Sequence, residues 1–139
     1  MQDLPLLSPE EEVFVDAQRV ARMATVYPDG TPHVVPICPA LDLDRIVIAS
    51  EAATIKVRNL RENPFASISF DEYAEQWNAM KHLIVFGEAL LIESGPEFER
   101  DRGLLYEKFP QYPTDAAIEE GRSVLIEVRI ERVSTMGFS

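Results

Sequence analysis

Met23-Ala24-Thr25-Val26-Tyr27, then Pro28-Asp29-Gly30, then Thr31-Pro32-His33-Val34-Val35-Pro36-Ile37-Cys38: two β-rich runs flank a turn tripeptide. Gly30 supplies the positive φ that a tight hairpin turn needs. Pro32 and Pro36 lack N–H donors, so the second strand cannot be hydrogen-bonded along its whole length. This hairpin decides the fold class. Doubly wound sheets need regularly alternating βαβ units, whereas hairpins build antiparallel sheets and barrels.

The flanking sequence supports the hairpin reading. Upstream, Ser8-Pro9-Glu10-Glu11 has a capping residue, a proline suited to the first helical position and an acid three residues after the cap. A helix is predicted over about 9–21, with Val13, Phe14, Ala17, Val20 and Ala21 on its apolar face. Downstream, 43–50 reads as a strand around Ile46-Val47-Ile48-Ala49, and 54–62 as a short helix stopped by Asn63-Pro64. Residues 65–70 form a strand, 71–80 a polar loop carrying Trp77, and 83–93 a long strand. Gly87 inside that strand predicts a bulge or a close backbone approach. A helix follows from Gly95-Pro96 to about Phe109, then a turn at 110–113 and a helical piece to Glu120. Val124, Ile126, Val128 and Ile130 alternate with Leu125, Glu127, Arg129 and Glu131, the pattern of a half-buried strand. The order predicts a mainly β protein, an antiparallel barrel with peripheral helices, as one domain over 1–139.

Composition agrees and narrows the function. The chain has 139 residues, of which 46% are hydrophobic and 27% charged, ordinary values for a globular domain. Its net charge of -11 disfavours nucleic acid and anionic membranes as partners, but not a small phosphorylated ligand held by a few local cations. Cys38 is the only cysteine, so no intrachain disulfide is possible. With neither Lys, Arg nor His beside it in sequence, Cys38 is expected to be a buried small residue rather than a nucleophile. The two histidines, His33 and His82, cannot close a thiolate zinc site with it, and no metal is expected. Met1-Gln2-Asp3 shows no secretory signal, no apolar run reaches membrane-spanning length, and a cytoplasmic protein is expected.

The segment Ser50-Glu51-Ala52-Ala53-Thr54-Ile55-Lys56-Val57-Arg58 carries the chemistry. A strand delivers the chain to a helix start, where unpaired N–H groups and the positive end of the dipole favour phosphate. Thr54 offers a hydroxyl there and Lys56 a full charge. Lysines are scarce, the others being Lys81 and Lys108, while Lys56, Arg58 and Arg61 lie close together. A solvated helix face accounts for the two arginines, and Lys56 remains the candidate phosphate ligand.

These residues resemble the pyridoxamine 5'-phosphate oxidase-like split barrels, which bind flavin or deazaflavin. The resemblance runs from Arg19 to Val133. Its pieces are Ala21-Arg22-Met23-Ala24-Thr25-Val26, Asp29-Gly30-Thr31-Pro32-His33-Val34-Val35-Pro36, Thr54-Ile55-Lys56 with Asn59-Leu60 and Asn63-Pro64, and Val85-Phe86-Gly87-Glu88-Ala89. It implies an FMN-binding split barrel, working as a homodimer with the cofactor in the interface groove. Ser50, Thr54 and Lys56 would hold the cofactor phosphate. Pro36, Ile37 and Ala49 would line the ring or ribityl path through their backbone, and His82 would lie near the ring.

Two departures separate the chain from true pyridoxamine-phosphate oxidation. The stretch 34–38 lacks the basic residues that meet the phosphate in the oxidase, and 133–138 lacks its aromatic-plus-Arg ending. Asp71-Glu72-Tyr73-Ala74-Glu75-Gln76-Trp77 and Lys108-Phe109-Pro110-Gln111-Tyr112 are similar to a branch that uses the deazaflavin coenzyme F-420. Gln76 replaces an Asp common in that branch, and Lys108-Phe109 replaces Arg-Tyr. In this setting Trp77 is expected at the ring or the pocket mouth. The function implied is an FMN-dependent oxidoreductase acting on a small organic substrate, with coenzyme F-420 as the alternative cofactor and a non-catalytic flavin or haem carrier as the alternative role. No side chain is expected to be a catalytic acid or base.

Overall fold

A computed structural model describes residues 6–138, so the reading of Met1-Gln2-Asp3 falls outside the described residues. Helix α1 (Pro9–Ala17) starts as its sequence dictates. The Ser8 hydroxyl accepts from the Glu11 N–H, and the Glu11 carboxylate accepts from the Ser8 N–H. The helix ends at Ala17 rather than near 21. Gln18 turns extended, and its side-chain amide donates to the Phe14 carbonyl at 3.1 Å. Ala21 is claimed by the sheet, where it pairs with Ile37. Phe14 and Val15 form the buried face, while Val13 stands exposed.

The strands are β1 (Ala21–Val26), β2 (Pro32–Ile37), β3 (Ala40–Asp42), β4 (Arg45–Glu51), β5 (Phe65–Glu72), β6 (Lys81–Ile92) and β7 (Ser123–Met136). The further helices are α2 (Ile55–Glu62), α3 (Pro96–Lys108) and the one-turn α4 (Tyr112–Asp115), so the helical piece expected to reach Glu120 stops five residues early. A short 3-10 turn, Trp77–Ala79, sits in the β5–β6 connection. The seven strands form one curled antiparallel sheet in the order β2-β1-β5-β6-β7-β4-β3. Strand β3, at three residues, is too short to show a period in the sequence.

The curl follows from where the apolar side chains go. Ile37 near one edge and Ile46 and Ile48 near the other share a single core with Met23, Ile68, Phe70, Leu83 and Val85. α1 and α2 cover the open sides of that core through Phe14, Val57 and Leu60. Asn59 fastens α2 to β1, its side-chain amide donating to the Thr25 hydroxyl at 3.1 Å in a buried contact. A second core lies on the outer face, where α3 sets Phe98 and Leu105 against Val47 and Leu125.

Strand β7 is therefore not half-buried over its first half. Residues 123–128 are buried on both faces, because Leu125 and Glu127 lie on the sheet face that meets α3. The same cover explains the unbroken apolar run of β4, since strands buried on both faces need not alternate.

β2 is an edge strand. Tyr27 donates its N–H to the Thr31 carbonyl, and from that phase the nitrogens of Pro32, Val34 and Pro36 point away from β1. The prolines thus sit where no ladder bond is needed.

Gly87 marks both a close approach and a register shift. The pairing of β6 with β7 slips by one between Phe86 and Gly87, leaving Glu131 as the extra residue in β7. A Cβ on Gly87 would overlap the Arg129 carbonyl. Gly87→Ala is therefore expected to cost at least about 2 kcal/mol of stability, since the obstacle is backbone and cannot rotate away. Denaturant unfolding of the two proteins measures it, and an unchanged midpoint would refute the steric account.

Candidate functional site

The β4–α2 junction is built from consecutive residues. Ser50, at the end of β4, is buried, and its hydroxyl lies 2.8 Å from that of Thr54. Both hydroxyls also reach the Glu51 carbonyl, at 2.9 Å from Ser50 and 3.2 Å from Thr54. Three short contacts share two hydroxyl protons. Thr54 occupies the N-cap position in extended geometry, yet its side chain makes no capping bond. The first turn of α2 therefore keeps its N–H groups without a side-chain acceptor, and it contains no acidic residue.

Lys56 lies in that first turn. It is half-buried, and burial pushes its ammonium below the ordinary lysine range. No carboxylate opposes this: the ion pairs and hydrogen bonds among the described residues engage other cations. Arg61 turns to Glu93 at 3.4 Å, and Arg58 is exposed. A partly desolvated positive charge at an uncapped helix start is the chemistry of an anion receptor.

The other candidates divide between two places. Ala49 precedes Ser50 but faces the α3 side, in a cleft of about 190 Å³ shared with Tyr112 and Ile118. Ile37 is turned into the inner core and is 5% exposed, which leaves only its backbone for a ligand. Pro36 is exposed on the outward face of β2. His82 of β6 is half-buried, and Trp77 is 72% exposed. β2 and β6 stand three positions apart in the sheet, about 14 Å at the usual strand spacing.

A row of side chains spans that gap. Arg22 pairs with Pro36, its guanidinium meets Asp71 at 3.4 Å, and Asp71 pairs with His82. Sequence reasoning passed over Arg22 and Asp71. The signal was present, since Ala21 and Met23 point inward and period two then sends Arg22 outward. Further along the same open face, Arg132 stacks on Phe86 at 3.9 Å beside a cleft of about 420 Å³ bounded by Ala24, Pro32 and Phe65.

Cys38 is exposed, not buried. The chain leaves the sheet at Ile37, and Pro39 and Ala40 are buried in its place. Lys108 donates to the Pro39 carbonyl at 2.7 Å, and the Cys38 thiol is near enough to Lys108 and Tyr112 to influence both. The missing basic neighbour is thus supplied from α3, far away in sequence. Among the described residues, no group of three or more His, Cys, Asp or Glu could hold a metal ion, and no helix is long and apolar enough to cross a membrane.

Comparison with known structures bears on the fold. The chain is similar to HutZ, a haem storage protein from Vibrio cholerae, at 22% identity and TM-score 0.81, covering 98% of each chain. It is similar to a FAD-binding protein from Mesorhizobium loti at 25% identity and TM-score 0.76, covering 93% of this chain and 92% of that one. Similarity to an F420 reductase is at 23% identity and TM-score 0.71, covering 88% and 94%. A search of curated proteins found no match. The family model described as pyridoxamine 5'-phosphate oxidase matches residues 7–137, nearly the whole of the sheet and helices just described. With that match and this strand order, the chain belongs to the pyridoxamine 5'-phosphate oxidase-like split-barrel family.

Proposed function

We propose that the chain is a flavin- or deazaflavin-dependent oxidoreductase that holds its cofactor phosphate at the β4–α2 junction and acts on a small organic substrate. Lys56 carries the reading: a half-buried ammonium, without a carboxylate partner among the described residues, at a helix start whose N–H groups are uncapped. A phosphate there would accept from those N–H groups and from Lys56, and from the Ser50 and Thr54 hydroxyls once they turn from each other and the Glu51 carbonyl. The bound ring supplies hydride or electron transfer, while the chain's residues bind, orient and exclude water. FMN is the first choice. Coenzyme F-420 is the second, favoured by the similarity to an F420 reductase.

The working unit in this proposal is a homodimer. In one chain the junction at 50–56 and the Trp77–His82 region belong to different parts of the sheet, and the outward face carrying Val34 and Phe65 is exposed. Two-fold pairing of that face covers it and builds two equivalent cofactor grooves. A second reading, a carrier without turnover, takes its support from the near-complete overlap with a haem storage protein. The absorption spectrum after addition of FMN, coenzyme F-420 or haem, followed by reduction with NADPH, separates the two.

Lys56→Ala is expected to weaken FMN binding roughly ten- to a hundredfold, the loss of about 1.5–3 kcal/mol from a charge-assisted bond. Riboflavin, which has no phosphate, should bind both proteins alike. Equal FMN affinities for parent and variant would remove the phosphate assignment.

The pH dependence has a definite sign. Phosphate needs the protonated ammonium, and burial lowers the pH at which Lys56 gives its proton up. FMN affinity should therefore fall on the alkaline side earlier than an exposed lysine would allow, and Lys56→Ala should abolish that limb. Calorimetric titration across pH reads it directly. Sedimentation is expected to show a dimer with cofactor bound, and a monomer at micromolar concentrations would overturn the proposed assembly.

A further inference from the structure

Asp101 of α3 is wholly buried, and Glu127 of β7 is 4% exposed. The Arg100 guanidinium touches both carboxyl groups and so holds them side by side. Arg45 donates to Glu127 and to Asp42, each at 2.8 Å. Arg100 reaches Glu127 at 3.1 Å and Asp101 at 3.4 Å. Three carboxyl groups thus meet two guanidinium groups, leaving one negative charge over. Asp101 Oδ2 also finds no donor among the described residues.

A buried carboxylate oxygen without a donor is unfavourable, and adjacent buried carboxylates resist joint ionisation. One proton removes both difficulties. Carried on Asp101, it turns the orphan oxygen into a donor, gives Glu127 a further bond and brings the cluster to neutrality. We propose that Asp101 and Glu127 share a single proton across the α3–β7 contact, and that loss of this proton loosens α3 from the sheet.

The environment pulls the two carboxyl groups in opposite directions. Burial, then the bond and charge of Glu127, push Asp101 up to about 7. Burial alone would raise Glu127 as well, but the bond from Asp101 and the two arginines hold it below its ordinary value. Arg129 and Glu131 of β7 and Glu88 of β6 line the adjoining groove, where they are exposed and screened by water, and α3 itself also carries Glu97, Glu99, Arg102, Glu107 and Lys108. Between the ordinary Asp range and about pH 7 the folded chain holds a proton that the unfolded chain has released. Stability therefore falls as pH rises through that window and levels off above it. Glu127 acts with the opposite sign, and only below the ordinary Glu range.

Asp101→Asn keeps a donor toward Glu127 and does not titrate. In the parent, amide exchange within α3, corrected for its intrinsic pH dependence, should rise about fivefold or more between about pH 6 and 8.5, and the unfolding midpoint should fall. In the variant both should stay flat. Parallel pH profiles for the two proteins would overturn the proposal. Infrared spectroscopy of the parent alone decides it even if the variant does not fold: a carboxylic-acid carbonyl band should be present near pH 6 and gone by about pH 8.5. No acid band at pH 6 would equally overturn it.

Discussion

At Gly87 the backbone of β6 approaches the Arg129 carbonyl so closely that no side chain fits between them. That approach lies beside the one-residue slip that sets Glu131 apart from the ladder. On one side of the slip the even-numbered residues of β7, Val128 and Ile130, face the inner core; on the other side Val133, odd-numbered, packs there instead. A continuous register would have put Arg132 inside and Val133 out. The slip therefore lets one long strand serve both halves of the sheet. It joins a half covered by α3 to a half whose outer face is left open, and the open half carries the row from Pro36 through Arg22 and Asp71 to His82.

Charge is distributed to match. The chain is strongly acidic, with Lys and Arg totalling 13 against 24 Asp and Glu. Several arginines are absorbed by carboxylates at Asp42, Asp71, Glu93, Glu119 and Glu127. The ammonium in the first turn of α2 has no such partner among the described residues, and its electrostatic effect is local. The surrounding negative surface repels polyanions at long range, while the helix start retains its attraction for one small anion at contact distance.

What could be read from the residues was whatever local chemistry controls. The Ser8–Glu11 capping box, the hairpin at Gly30, the helix start after Thr54 and the tight spot at Gly87 each depend on a few neighbours in sequence, and each lies where it was expected. The misreadings involved partners distant in sequence. The end of α1 depends on Ala21 being captured by Ile37, and the burial of both faces of β7 depends on α3. Cys38 was judged by its sequence neighbours, whereas its basic neighbour comes from the far end of α3. The candidate site shows the same division. Ser50, Thr54 and Lys56 adjoin one another in sequence and in space, but Arg22 and Asp71 join the open face only once strand pairing is known.

The free edge of β2 limits how copies of this chain can associate. With Pro32 and Pro36 facing away from β1, the exposed rim offers the Val34 N–H as a lone donor between two positions that have none. An incoming strand would find too few bonds to extend the ladder, so end-to-end growth of the sheet is suppressed at that rim. At this edge, association is left to surfaces rather than to the rim. Contacts of that kind can close on themselves in a finite particle, whereas strand addition would leave a new rim for the next copy.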